Sequence, residues 1–318
     1  MKHVVERMVF IGPGKMATAL TVALQEAGYP VLGAYSRDPN GDAAARYASV
    51  TKRCVRPMTE IVDLYACEDA RSAGGLPAAE TWLSEADVIW LTVPDGRVAE
   101  IAQALAVSGQ LRAGQLVVHV SGALPSGVLS PVRAAGAACL SLHPLQSVAD
   151  PPNAAAPSSR WRPLRGVYCA LEGDATAIQA GRRWVRDWEG HSVEISAMDK
   201  PRYHAAAALA ANGLVALVDA AARLLPFPNG VAALLPLLDG VLRNLERVGL
   251  PNALTGPVER GDLETVRAHL AALRGEADVD RMYRALSTWM IHMAQDKGRL
   301  TDDAARQLRG LLDTPEDR

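Results

Sequence analysis

The stretch Met8-Val9-Phe10-Ile11-Gly12-Pro13-Gly14-Lys15-Met16-Ala17 decides the fold. An apolar strand, Val4 to Ile11, runs straight into a glycine turn. A helical pattern, Met16 to Ala27, follows and stops at Gly28. Gly12 to Ala17 reads G-x-G-x-x-A, a pattern that is informative only between a strand and a helix, and it stands there. Gly12 permits a tight turn, Gly14 lets backbone approach a pyrophosphate, and Ala17 lets the helix lie close to the strand. The helix N-terminus then turns free N–H groups and a favourable dipole toward phosphate. A strand-to-helix turn without ligand is the plainer alternative. The further βα units behind the turn favour dinucleotide binding.

Those units extend outward from the turn. Val31 to Tyr35 reads as a second strand and Ala43 to Ala48 as helical. Thr51 to Leu76 has no assignable pattern. Order returns at Ala79 to Ser84 and in the strand Val88 to Val93. Asp95 stands where an N-cap would open the helix Val98 to Val107. Val117 to Val120, Cys139 to Leu142, Val167 to Leu171 and Ser192 to Ile195 read as later strands. Asp150 to Pro163 reads as a Pro/Ala/Ser loop, and Ala175 to Trp188 as a helix. After Ser196 strand patterns give way to helices at Lys200 to Leu225, Val231 to Val248, Leu263 to Leu273, Val279 to Gln295 and Asp302 to Leu312. Asp262, Asp278 and Thr301 are the expected caps. The expected fold is a doubly wound α/β sheet of Rossmann type followed by an all-helical domain. The expected domains are 1–197 for dinucleotide and 198–318 for substrate and dimerisation.

The chain has 318 residues with 49% hydrophobic and 21% charged, enough apolar material for two cores. A net charge of -2 and 5% aromatics give no nucleic-acid footprint and no basic membrane surface. Cys54, Cys67, Cys139 and Cys169 form no paired motif, so reduced thiols of a cytoplasmic protein are expected. Ala205 to Leu225 is long and apolar enough for a bilayer, but it holds Asn212 and Asp219. A helix buried inside protein is the expectation. His and Cys spacings suggest no metal site.

The nucleotide is chosen at the end of the second strand, Tyr35-Ser36-Arg37-Asp38. Arg37 with Ser36 suits a 2′-phosphate, while Asp38 lies past Arg37 and before Pro39, where turn chemistry explains it. NADP is therefore expected over NAD. The expected cofactor contacts are Gly12, Pro13, Gly14, Lys15, Met16, Ser36, Arg37, Val93, Pro94, Ser121 and Gly122.

Several narrower segments carry a resemblance. They are Val93-Pro94-Asp95, His119-Val120-Ser121-Gly122-Ala123-Leu124-Pro125, Leu142-His143-Pro144-Leu145-Gln146-Ser147, Lys200-Pro201-Arg202-Tyr203-His204-Ala205-Ala206 and Thr255-Gly256-Pro257-Val258. With the glycine turn they make nearly the whole chain resemble the superfamily of 6-phosphogluconate dehydrogenase, ketopantoate reductase and pyrroline-5-carboxylate reductase. The narrower resemblance is to Rossmann-like oxidoreductases with a C-terminal domain of unknown function. Hydroxyacid dehydrogenases of this superfamily carry D-x-S-T-x-x-P after the fifth strand. His119 to Pro125 keeps Ser121 and Pro125 and departs at His119 and Gly122. Their lysine is matched by Lys200, and their asparagine by Asn212 at a longer spacing.

Lys200 also stands out physically. Pro201 fits only a first helical turn, so Lys200 sits at a helix N-terminus, where the dipole opposes a cation by roughly 0.3–1 kcal/mol. A proton donor, a solvated surface lysine and a phosphate contact are the three readings. His204 follows one turn later and could border the same cleft. His143 closes a strand before Pro144, and strand C-termini face the ligand crevice. Lys200, His143 and His204 are the expected catalytic residues, and Gln146, Ser147 and Asn212 the expected substrate contacts. Tyr203 could donate its hydroxyl but reads more readily as interface packing, and His119 reads as structural.

The expected activity is NADP-dependent hydride transfer with a small carbonyl, hydroxyacid or imine. The alternatives are an NADP-binding sensor without turnover and hydride exchange with a deazaflavin. The surplus of Ala/Leu-rich helix faces predicts a homodimer through the helical domain.

Overall fold

In the computed structural model, residues 5–60, 81–149 and 161–313 are described. Cys67, most of the Asp150 to Pro163 loop and the later part of Thr51 to Leu76 lie outside them. The chain forms two compact units, Met1–Ala211 and Asn212–Arg318. Lys200, Tyr203 and His204 therefore belong to the first unit.

That unit holds strands β1 (Met8–Ile11), β2 (Val31–Ser36), β3 (Val55–Pro57), β4 (Val88–Leu91), β5 (Leu116–His119), β6 (Ala138–Pro144), β7 (Tyr168–Gly173) and β8 (His191–Glu194). They form one sheet in the order β3-β2-β1-β4-β5-β6-β7-β8. β3 through β6 in that order run parallel, β7 is antiparallel to β6, and β8 is parallel to β7. The order reverses between β1 and β4, the switch point at which open α/β sheets bind ligands. Runs such as Met8–Ile11 and Val88–Leu91 are apolar throughout, as strands buried on both faces of a parallel sheet require. Trp90, fully buried, stacks on Phe10 at 5.8 Å and meets Trp184 at 5.3 Å.

The helices α1 (Lys15–Glu26), α2 (Asp42–Thr51), α3 (Trp82–Glu85), α4 (Asp95–Val107), α5 (Ser130–Ala134) and α6 (Ala175–Asp187) connect the strands. Asp95 is not the N-cap of α4. Pro94 takes that position, and Asp95 opens the helix. Its carboxylate accepts the Ser121 hydroxyl at 2.7 Å instead of a helix amide. The continuous helix Lys200–Leu224 then comprises α7 (Lys200–Ala208), a π-helical turn (Leu209–Gly213) and α8 (Leu214–Leu224).

In the second unit, α9 (Gly230–Val248), α10 (Pro257–Arg260), α11 (Leu263–Ala272), α12 (Ala277–Asp296) and α13 (Asp302–Asp313) follow α8. Its core is formed by residues of α10 to α13, including Val258, Val266, Ile291 and Leu308. Asp262 caps α11 by accepting the Thr265 amide at 3.0 Å. Glu276, not Asp278, is the N-cap of α12. The expectation that Ala205 to Leu225 is buried inside protein is not met within one chain. Neither α8 nor α9 has a buried residue, and by length and composition alone Lys200–Leu224 could cross a membrane. The apolar faces of α8 and α9 exceed what this unit covers, which leaves Val215, Leu235, Leu237 and Leu242 exposed.

Candidate functional site

A groove of about 530 Å³ opens at the C-terminal ends of β1, β2 and β4, lined by Gly12, Pro13, Gly14, Ser36, Arg37, Val93 and Pro94 among others. Its floor is the glycine turn. Gly12 has φ +98°, and a Cβ there would lie 2.9 Å from the Thr92 carbonyl oxygen. The Gly12 amide donates to Tyr35 O at 2.9 Å. The Thr92 hydroxyl donates to Gly12 O at 2.7 Å, so both neighbouring strands hold the turn. Gly14 caps α1 and has no side chain to occupy the helix N-terminus, a place whose dipole suits an anion. Ala17 is fully buried, as close packing of the helix requires. These features fit a dinucleotide pyrophosphate. Lys15 and Met16 open α1 beyond the lining.

At the β2 end, the Ser36 hydroxyl donates to Asp38 O at 2.9 Å, and Asp38 Oδ1 accepts the Asn40 amide at 3.2 Å. The Asp38 carboxylate thus closes its own turn. Arg37 and Arg97 supply the positive charge of the groove lining, and Arg97 pairs with Glu100 at 2.8 Å.

A second cluster lies in the same unit, where β6 ends. His143 Nδ1 and Tyr203 Oη share a hydrogen bond of 2.8 Å. The His143 and His204 rings meet edge to face at 6.0 Å between centroids. Both abut Gly122, where a Cβ would lie 2.4 Å from His204 Nδ1 and 3.0 Å from His143 Nε2. Burial, with Lys200 and His204 nearby, pushes His143 down to about 4, so its ring is neutral near pH 7. Burial, with Cys169 nearby, pushes Tyr203 up to about 12. The hydrogen-bonded pair is therefore uncharged near pH 7. Ser121 and Gly122, expected at the cofactor, lie in this cluster and not in the groove lining.

Lys200 is fully buried. Its Nζ donates to Ser121 O at 3.1 Å and to Ser141 Oγ at 2.6 Å. That burial overturns the solvated-lysine reading. It also pushes the amine down to about 8, against the opposing pull of Glu172 and Asp95. His119 is fully buried between Pro125 O and the Ser121 amide. Gln146 and Ser147 are exposed, and the Gln146 amide is engaged with Pro163 O at 3.4 Å. Asn212 lies in the π-helical turn and belongs to the second unit. Thr92 and Arg97 were not expected here, and Tyr203 was expected to pack rather than to donate its hydroxyl. Only Tyr203 had a sequence signal, in its position beside Lys200 and His204. Among the described residues no group of three or more His, Cys, Asp or Glu could hold a metal ion.

Groove and sheet order together define a doubly wound α/β protein of Rossmann type. Residues 4–144 match the Rossmann-like domain, and residues 167–290 match the domain of unknown function DUF2520. The chain is thus a Rossmann-like domain followed by a DUF2520 domain. No curated protein matches it in sequence. A Bacteroides fragilis structure described as a candidate NADP oxidoreductase is 21% identical, with a TM-score of 0.65 over 90% of this chain and 98% of that one. A Thermotoga maritima protein is also 21% identical, with a TM-score of 0.65 over 92% and 100%. An imine reductase from a Pseudomonas species is 17% identical, with a TM-score of 0.55 over 97% and 100%. At these identities the likeness is one of fold.

Proposed function

We propose that the chain is an NADP-dependent oxidoreductase acting on a small carbonyl, hydroxyacid or imine substrate. One observation carries the reading: a neutral His143–Tyr203 couple stands on the same strand-end edge of the sheet as the glycine-turn groove. The bound nicotinamide would supply or accept hydride. The protein would orient the reactants and hold a proton for the substrate heteroatom at Tyr203 Oη, backed by His143 Nδ1. A sensor without turnover needs the groove but has no use for that couple. The oxidoreductase and imine reductase among the similar folds support the same choice. The free thiols at Cys54, Cys139 and Cys169 support a reducing, cytoplasmic setting.

Arg37 is the groove cation for a 2′-phosphate, because Asp38 is engaged in its own turn. Calorimetry of cofactor-stripped protein is expected to show NADPH bound about ten- to a hundredfold more tightly than NADH, with the preference lost in Arg37→Ala. Binding of neither nucleotide defeats the reading.

The uncovered faces of α8 and α9 fit a second copy of the chain. They carry Asp219–Arg223 and Asp239–Arg243 ion pairs, which a protein interface can keep at its rim and a hydrocarbon layer cannot. Light scattering at micromolar concentration is expected to give twice the chain mass. A monodisperse monomer refutes the dimer.

A further inference from the structure

Lys200 is the residue for which sequence expectation and geometry diverge most. A proton donor must reach substrate. The Lys200 ammonium is sealed inside the first unit, with both of its hydrogen bonds made to protein. The groups that receive it are not incidental. Ser121 ends the chain segment after β5 and is a hub. Its hydroxyl donates to Asp95 Oδ2 at 2.7 Å and accepts the amides of Ala123 at 3.1 Å and Leu124 at 3.0 Å. Its carbonyl accepts Lys200. Ser141, the other acceptor, stands on β6 two residues before His143. One ammonium therefore joins the Ser121–Gly122 turn to the strand that carries His143.

The backbone of Lys200 supplies the third tie. Lys200 opens α7, and Tyr203 and His204 follow within about one helical turn. Fixing Nζ against β5 and β6 thus fixes the end of the helix that presents both rings. The clearance is small, because Gly122 has no room for even a methyl group between His143 and His204. A turn that drifted by a fraction of an ångström would move both imidazoles.

We infer that Lys200 is a positioning residue, whose buried ammonium clamps the Ser121–Gly122 turn to β6 and sets the surface against which His143 and His204 pack. The inference rests on the oxidoreductase reading for what the cluster does, though not for the contacts themselves. Burying a cation is tolerated here because the carboxylates of Glu172 on β7 and Asp95 on α4 favour its charge. Glu172 is itself held by the Ser126 amide and hydroxyl, the latter at 2.7 Å. His119 on β5 and His143 on β6 are the titratable groups that feel the Lys200 charge, and it opposes protonation of both.

The test uses the full chain with Lys200→Met, which keeps the side-chain length and removes the ammonium. Ser141→Ala is the milder companion, which removes one acceptor and leaves the lysine. Amide exchange is read at Ala123 and Leu124, and the His143 ring titration is followed by NMR. In Lys200→Met, exchange at both amides is expected to rise about tenfold or more, as a local opening becomes easier. The His143 titration is expected to move up toward the ordinary imidazole range, because an opposing charge is gone. Ser141→Ala is expected to give the same exchange signature at smaller amplitude, and it decides the matter if Lys200→Met does not fold. NADPH affinity is expected to stay within about threefold of wild type in both, since the groove is untouched. Unchanged exchange and an unchanged His143 titration in a folded variant overturn the inference. Wild-type protein that binds no NADPH removes the oxidoreductase reading instead, and the two NMR readouts still decide the clamp.

Discussion

Tyr203→Phe is expected to lower turnover of a reducible ketone or imine by about 10²–10⁴-fold, the usual worth of a positioned proton donor. NADPH affinity is expected to be unchanged. The substitution is conservative in space. Phenylalanine keeps the half-buried ring and its edge-on contact with His143, whose centroid lies 5.5 Å away. Only the hydroxyl is lost, and with it the 2.8 Å bond to His143 Nδ1. The pH dependence separates this role from a packing role. His143 gains a proton only near about 4, and Tyr203 loses one only near about 12. The couple therefore keeps the same protonation from mildly acidic to mildly alkaline pH, and the loss is expected to be of equal size at both. Steady-state kinetics on a panel of 2-ketoacids and cyclic imines makes the check. Wild-type turnover by Tyr203→Phe would assign the hydroxyl to packing and the proton donor to another group.

The parts of this site that were legible in the sequence are those fixed by local physics. Met8–Ile11 and Val88–Leu91 are four-residue apolar runs between turn signals, the pattern of a strand buried on both faces. Gly12 to Ala17 states its own turn. Pro201 places Lys200 at a helix start, and there the structure has it. What stayed hidden depends on contacts between distant residues. The same helix position allows Lys200 to point outward or inward, and Ser121 and Ser141, 79 and 59 residues earlier, decide it. Tyr203 reads as packing until His143, 60 residues away in sequence, is found at its hydroxyl. The antiparallel turn-back of β7 leaves no periodic mark, because a strand reads the same in either direction. The division into two compact units likewise leaves no mark in composition. It falls inside a π-helical turn of a continuous apolar helix, at which the composition does not change.

Gly12→Val carries the second large effect, and it tests the feature from which the fold was read. Gly12 sits at φ +98°, where an L-residue is strained by about 1–2 kcal/mol before any contact is counted. The Cβ would then lie 2.9 Å from Thr92 O and 3.0 Å from Val93 Cγ1, and valine adds two methyl groups beyond it. Thr92 cannot retreat cheaply, because its amide is bonded back to Ile11 O and its hydroxyl to Gly12 O. Overpacking of this kind costs about 1–3 kcal/mol more. Those costs are expected to be met by displacing the turn, since β1 and β4 are held along their whole register from Met8–Val88 to Ile11–Leu91. The displaced turn fills the groove where the backbone must approach pyrophosphate. Calorimetry is therefore expected to show NADPH affinity reduced by about a hundredfold or more, equivalent to roughly 2.7 kcal/mol. Far-ultraviolet circular dichroism is expected to stay that of the wild type. Full NADPH affinity in a folded Gly12→Val protein would separate nucleotide binding from this turn, and the groove at the switch point would then have to hold its ligand by other contacts.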